Sequence, residues 1–251
     1  TNQIIVIMND VTWNGTAELN KNATITSLYS GVDYRKTGAV LKVGANMTVG
    51  GDLILNNIII QSTSNTVPDT TEYIHTQDYT NLLIMNYHEL AIGRGVTTPA
   101  GSYTFGAIIG GNYRLQSTTG NIGNHNMYIE SGKYNNILVG SAITSPTTSP
   151  KYVSHNVEIG SIKDKPKANN SRLEITGYFA LGQNEKAVLA QEDNAHESTY
   201  AKVNFYVGTF SAQNPFNKNQ ENAVIYLGTM GNATGGKTIF NMHQGIVNGN
   251  I

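Results

Sequence analysis

The 251-residue chain has no cysteine, which excludes disulfides, thiolate metal sites and thiol catalysis and leaves the compartment open. Charge is scarce too. Lys and Arg number 16 against 17 Asp and Glu, a net charge of -1, and charged residues make up 13% of the chain, about half the usual share. Arg35, Arg94, Arg114 and Arg172 are scattered, and no cluster of cations could displace the counterions of DNA, RNA or an anionic bilayer. No apolar stretch approaches the ~20 residues of a membrane span, so no membrane insertion is expected. Thr1 opens directly on TNQIIVIM, without a basic region ahead of an apolar one. A start without Met and an end in GIVNGNI are read as a piece of a larger secreted protein, soluble as it stands. Helical periodicity is almost missing.

In place of charge and helix the chain has 31 Asn, 26 Gly and 14 Tyr, the makings of a neutral polar surface. Apolar residues come in short runs bounded by Gly, Asn or Ser, and several runs alternate with polar positions as strands do. Examples are ATITSL (23 to 28), AVLKV (39 to 43), DLILNNIIIQ (52 to 61), NLLIM (81 to 85), NMYIES (126 to 131), RLEIT (172 to 176), KVNFYV (202 to 207) and KTIFNM (237 to 242). An all-β fold is implied, and at this length one domain over 1–251 is the expectation.

A repeat organises these strands. An apolar run meets a Gly, and one or two residues later the next apolar side chain appears: ESGKY at Gly132, EIGSI at Gly160, ITGYF at Gly177, YVGTF at Gly208, YLGTM at Gly228 and HQGIV at Gly245. Weaker instances lie at Gly44, Asn57, Gly93 and Gly111. From Gly111 onward these glycines are separated by 17 to 31 residues, a loose period that a solenoid absorbs in corner loops. The alternative, an antiparallel sandwich or barrel whose strands end in Gly, explains the turns but not the recurring apolar residue after each. About eight to ten stacked strands at ~4.8 Å give a rod about 40 to 50 Å long. Residues 1–35, with Trp13, are expected to form an N-terminal cap, and 62–105 and 141–152 to be rich in projecting loops. The pairs Asn56-Asn57, Asn135-Asn136 and Asn169-Asn170 read as turns, with ladders between neighbouring strands as the alternative.

The strings GDLILNNIIIQ, HELAIGRGV with GAIIGGNY, and NMYIESGKYNNILVGS resemble right-handed parallel β-helix segments of surface adhesin-like proteins from clostridia and related Gram-positive bacteria and some methanogens. The likeness is one of repeat style over roughly 40 to 250, not of an active-site motif. It implies the pectate-lyase-like superfold, which hosts lyases, hydrolases, tail spikes and adhesins alike, so site residues must choose among them.

A hydrolase of that architecture would need converging carboxylates. Glu130, Glu158 and Glu174 each precede a repeat Gly by two or three residues, so a shared face is one expectation and an ordinary outward polar position the other; Asp52 is the fourth strand-borne acid. A lyase would be expected to hold Ca²⁺ by several carboxylates, and only Asp69 with Glu72 and Glu192 with Asp193 are close in sequence. No cofactor is expected, a structural Ca²⁺ completed by carbonyls being the one exception. His75, His88, His125, His155, His196 and His243 show no zinc spacing, although stacking could join distant ones. GNATGGKT at 231–238 has the glycine, lysine and threonine spacing of a phosphate loop, but the strand-like KTIFNM takes the place of the helix such a loop needs, and it reads as a turn. The N-x-S/T matches at Asn14, Asn22, Asn46, Asn169 and Asn232 are what an Asn- and Thr-rich chain produces by chance.

Tyr is where function is sought. Tyr73, Tyr79, Tyr87, Tyr103 and Tyr113 cluster in or beside the least repetitive stretch, and a Tyr ring stacks on a pyranose while its hydroxyl hydrogen-bonds; the competing role is to cover strands. The expectation is a non-catalytic cell-surface adhesin or carbohydrate-binding domain, extracellular, holding plant cell-wall polysaccharide such as cellulose or pectin through many weak contacts. A polysaccharide lyase or glycoside hydrolase is the first alternative and a stalk or phage-type fibre the second. Ice binding would want a regular Thr-x-Thr array, which is missing.

Overall fold

The computed structural model describes residues 2–64, 81–113, 121–140, 152–160, 172–177, 179–180, 200–206, 209–211, 225–226, 237–244 and 246–248. The fold is all-β, built on parallel sheets; among the described residues the helical content is a single 3-10 turn, Tyr34–Thr37. The sheet with the longest unbroken strand order, the long sheet, carries eight parallel strands: Gln3–Val6, Ala23–Thr26, Leu53–Asn56, Leu90–Ile92, Asn121–Ile129, Tyr152–Ile159, Tyr200–Phe205 and Lys237–Met242. Eight strands at ~4.8 Å each give about 38 Å, and eight is the lower end of the eight to ten strands expected. A second, nine-stranded sheet begins at Met47–Thr48 and runs through Leu82–Ile84, Phe105–Ile109 and Gly132–Leu138 to Ile246–Asn248. A short sheet joins Val11–Trp13, Val40–Val43, Ile58–Ser62 and Val96–Thr97.

From Ala23–Thr26 the chain visits these sheets in a cycle of long, short and second as far as Phe105–Ile109, and among the described residues it then alternates between the long and second sheets. Among the described pairs, only Leu28–Tyr29 with Val32–Asp33 is antiparallel, so the sandwich or barrel of antiparallel strands is excluded. Within residues 1–35, Gln3–Val6 and Ala23–Thr26 pair in the long sheet, and Val11–Trp13 pairs in the short one. The Trp13 indole N–H donates to the Asn46 carbonyl at 3.0 Å. Among the described residues of 62–105, Leu82–Ile84, Leu90–Ile92 and Val96–Thr97 are strands; 65–80 and 141–151 lie outside the described residues.

Register turns the sequence alternation into columns. Ala23, Leu53, Leu90, Met127, Val157, Val203 and Phe240 succeed one another across the long sheet, and Ile25, Leu55, Ile92, Ile129, Ile159 and Phe205 form a parallel column. All but the half-buried Phe240 are buried in one continuous core. Each such side chain contributes about 1.5–3 kcal/mol by leaving water. The residues between the two columns, Ile54 and Glu158 among them, face away from this core, as a period of two dictates.

Where a strand of the long sheet ends, the chain turns a corner into the neighbouring sheet, and here the repeat residues act. Asn57 adopts φ 48 and Gly132 φ 107, the left-handed region that lets a strand leave one sheet and enter the next. Asn56-Asn57 thus belongs to a corner, as expected of a turn. Asn135-Asn136 does not: both are buried inside the strand Gly132–Leu138. Asn169-Asn170 lies outside the described residues.

Candidate functional site

The strand-to-strand corners around Gly132 line a groove of about 410 Å³, within the ~300–1,000 Å³ usual for ligand sites. One wall is the segment Val96–Ser102, where the Ser102 N–H donates to the Pro99 carbonyl at 3.1 Å and Gly101 turns at φ 78. Gly132 and Lys133 start a strand on the other side, and Arg94, Arg172 and Glu174 complete the lining. The charged groups are therefore three cations and one carboxylate among the described lining residues.

Lys133 is held from two sides. It sits opposite Glu174 on the adjacent parallel strand, and its Nζ lies 3.2 Å from the Glu174 carboxylate. The same ammonium lies 5.6 Å from the centre of the Tyr103 ring, a cation–π distance. Tyr103 is fixed in turn by a 2.8 Å hydrogen bond between its hydroxyl and that of Thr176. The Lys133 backbone is anchored by a reciprocal pair: its N–H donates to the Thr104 hydroxyl at 2.9 Å, and the Thr104 N–H donates to its carbonyl at 2.8 Å. Both Lys133 and Glu174 keep about a third of their side-chain surface in water, so the pair adds little stability while setting where the ammonium points.

Of the singled-out tyrosines that lie among the described residues, Tyr103 alone meets a lining residue of this groove, Lys133. Tyr87 and Tyr113 do not offer platforms to a sugar, because both are buried: Tyr87 at φ 65 packs against His125 and His155, and Tyr113 joins Leu82, Ile84 and Ile109 in a second apolar cluster. Tyr73 and Tyr79 lie outside the described residues. An exposed Tyr with no local sequence signal stands on the antiparallel hairpin: Tyr29 is 47% exposed, flanked by the exposed Leu28 and Val32. The hairpin is pinned at its base by Arg35, which pairs with Asp33 at 2.8 Å and donates to the Gly95 carbonyl at 2.9 Å.

The acids do not share a face. Glu158 sits between Tyr128 and Asn204 in the outward column of the long sheet, Glu130 comes just after the end of the strand Asn121–Ile129, and Glu174 lies on the second sheet. Asp52 belongs to a different arrangement, a ladder across four tiers. Asn22 Nδ2 donates to Asp52 at 3.1 Å, the Glu89 N–H donates to Asp52 at 3.0 Å, and Asn126 donates to Glu89. Among the described residues no three carboxylate or imidazole groups gather as a metal site; Asp69, Glu72, Glu192 and Asp193 lie outside them.

Stacking does join two histidines. His125 and His155 are register partners in the long sheet, both buried, with their Nδ1 atoms 2.9 Å apart. Burial, helped by the neighbouring His155 ring, holds the His125 pKa well below the usual imidazole range. At this distance one ring nitrogen donates a hydrogen bond to the other.

The cations of the groove were invisible to motif reading because they are far apart in sequence. Arg94, Lys133 and Arg172 are evenly spaced at 39 residues, but the register partner of Lys133 is Glu174, so the even spacing does not mark a column. Comparison of the chain with protein-family models, with curated proteins and with solved structures gives no match, so the site stands on its own geometry. No helix among the described residues is long and apolar enough to cross a membrane.

Proposed function

We propose that the parallel sheets are the walls of one right-handed parallel β-helix, and that the protein is an extracellular, non-catalytic adhesin domain that attaches its cell to plant cell-wall polysaccharide such as cellulose. The cyclic order of visits to the sheets supports the helical reading, since a strand returning parallel to its predecessor does so through a right-handed connection almost without exception. The likeness in repeat style to clostridial surface adhesins points the same way.

The observation that carries the binding role is the groove between Val96–Ser102 and Lys133. It combines hydroxyls of Thr97 and Thr98, small apolar surface at Pro99 and Ala100, and four charged side chains, the mixture by which pockets orient polar ligands. Tyr29 on its rigid hairpin adds an exposed aromatic surface. The uronate-lyase alternative rests on the same groove, because it sets a lysine and two arginines beside Glu174; the paired carboxylates of a glycosidase are not among the described lining residues.

Retention of the purified domain on microcrystalline cellulose, xylan and pectin, with release of reducing and unsaturated ends assayed in the same tubes with and without Ca²⁺, tests this. The adhesin reading expects retention with no product. Released unsaturated ends would establish the lyase instead, and failure to be retained on any of the three would overturn both.

A further inference from the structure

We infer that His125 and His155, with Met127 beside them, form a buried site for one soft, monovalent metal ion such as Cu⁺. The two histidines come from adjacent tiers of the long sheet, 30 residues apart, and their Nδ1 atoms meet at 2.9 Å. Met127 lies two residues beyond His125 on the same strand and so points to the same side of the sheet. His125 Cε1 and the Met127 sulfur converge on Gly110, where an added Cβ would stand 2.7 Å from the first and 2.8 Å from the second. The Tyr87 ring closes the site, edge-on to His125 and stacked on His155. His125, His155 and Met127 are 0%, 2% and 0% exposed, so water does not compete for an ion held there.

As a piece of core the histidine pair is a poor choice. One ring nitrogen donates to the other, but His125 Nε2 has no hydrogen-bond partner among the described residues. A buried polar atom left so lowers stability, which apolar side chains in the same places would not do. As a ligand set the pair is apt, because metal ligands must be uncharged imidazoles and burial holds His125 in that form. The donors also set the class of ion. Structural Zn²⁺ takes four ligands and Ca²⁺ six to eight oxygens, whereas cysteine is absent and, among the described residues, no third imidazole or carboxylate gathers with the pair. A thioether with two imidazoles is a soft, neutral set that suits Cu⁺, and a single charge is less costly to bury than two. Metal–nitrogen bonds of ~2.0 Å place the two Nδ1 atoms about 3.3 to 4 Å apart, so loading opens the pair by about 0.4 to 1 Å. The donating ring shifts its proton from Nδ1 to Nε2 as the ion replaces the hydrogen bond, and no proton is released.

The test uses the intact domain with Ag⁺ in chloride-free buffer, a redox-inert probe, and with Cu⁺ kept reduced by ascorbate without oxygen. Native mass spectrometry is expected to show one ion per chain, thermal melts a raised Tm, and X-ray absorption of the copper two nitrogen neighbours and one sulfur. His155→Phe is expected to abolish uptake. Met127→Leu, which keeps core volume, is expected to weaken it about tenfold or more and to remove the sulfur from the spectrum. If His155→Phe fails to fold, Met127→Leu decides: an unchanged affinity with an unchanged spectrum overturns the inference. Failure to take up either ion would overturn it too, as would uptake unaltered in both variants, the mark of binding at the exposed Met8 or Met242. Zn²⁺ raising the Tm as much as Cu⁺ would overturn the assignment to soft monovalent ions. None of these outcomes bears on retention by polysaccharide.

Discussion

The long sheet and the second sheet are both parallel and share one core, but they are buried differently. Leu53–Asn56 in the long sheet alternates buried and exposed, with Ile54 42% exposed, whereas Leu82, Leu83 and Ile84 in the second sheet are all buried. Phe105–Ile109 and Gly132–Leu138 are likewise buried almost throughout. The middle strands of the second sheet are thus covered on both faces, with Leu82, Ile84, Ala107 and Ile109 forming a cluster apart from the main core. A sheet covered on both sides reads in sequence as an unbroken apolar run, and one that meets water on one side reads as alternation.

Substitution breaks or sharpens this contrast. The largest effect is expected from Leu82→Ala, on the outer face of the second sheet, where removing a fully buried side chain costs about 2–5 kcal/mol; denaturant melts of the intact domain measure it. A loss below about 1 kcal/mol there would mean that the outer cluster adds nothing. Next comes Gly110→Ala, at the turn between the sheets. A Cβ there would meet the Val139 carbonyl and lie 2.7 Å from His125 and 2.8 Å from the Met127 sulfur, so overpacking is expected to cost about 1–3 kcal/mol, read as a lowered Tm.

A smaller, conditional effect comes from acid. His125 is surrounded by His155, the Tyr87 ring and His88, with no carboxylate found against it among the described contacts. Its folded pKa lies below the 6.5 of an unperturbed imidazole, so the unfolded chain takes up a proton that the folded one refuses. Stability is then complete above about pH 6.5 and declines as pH falls from there toward the folded value. Thermal melts from about pH 7.5 to 4.5 should show the decline, and His125→Phe should flatten that part of the curve. The smallest effect is expected from Ile54→Thr, on the watered face of the long sheet, within about 0.5 kcal/mol of the parent. A cost like that of Leu82→Ala would show that this face is covered too.

Much of the architecture was legible because columns need a period. NLLIM, KVNFYV and KTIFNM each contain strand residues where their pattern suggested them, and Gly132 and Asn57 mark the corners their positions implied. What misled was composition read locally. Tyr87 lies beside an irregular stretch, yet its left-handed backbone and its N–H bond to the Gly110 carbonyl at 2.8 Å place its ring inside. Glu130, Glu158 and Glu174 share a spacing from glycine but not a sheet. The groove was illegible for the opposite reason: its cations carry no local pattern, and their even 39-residue spacing marks no column.

The Arg35 contact has a mechanical consequence. A parallel stack pulled from one end sheds its strands one at a time, each held only by its neighbour. Ser27 bonds to the tier of Asn57, and Ile58 in that tier bonds to Gly95, but Arg35 reaches past the middle tier to Gly95 itself, across 60 residues of sequence. Under tension the rivet makes three tiers yield as one block, so the end of the stack that carries the Tyr29 hairpin resists peeling more than its hydrogen bonds alone would allow.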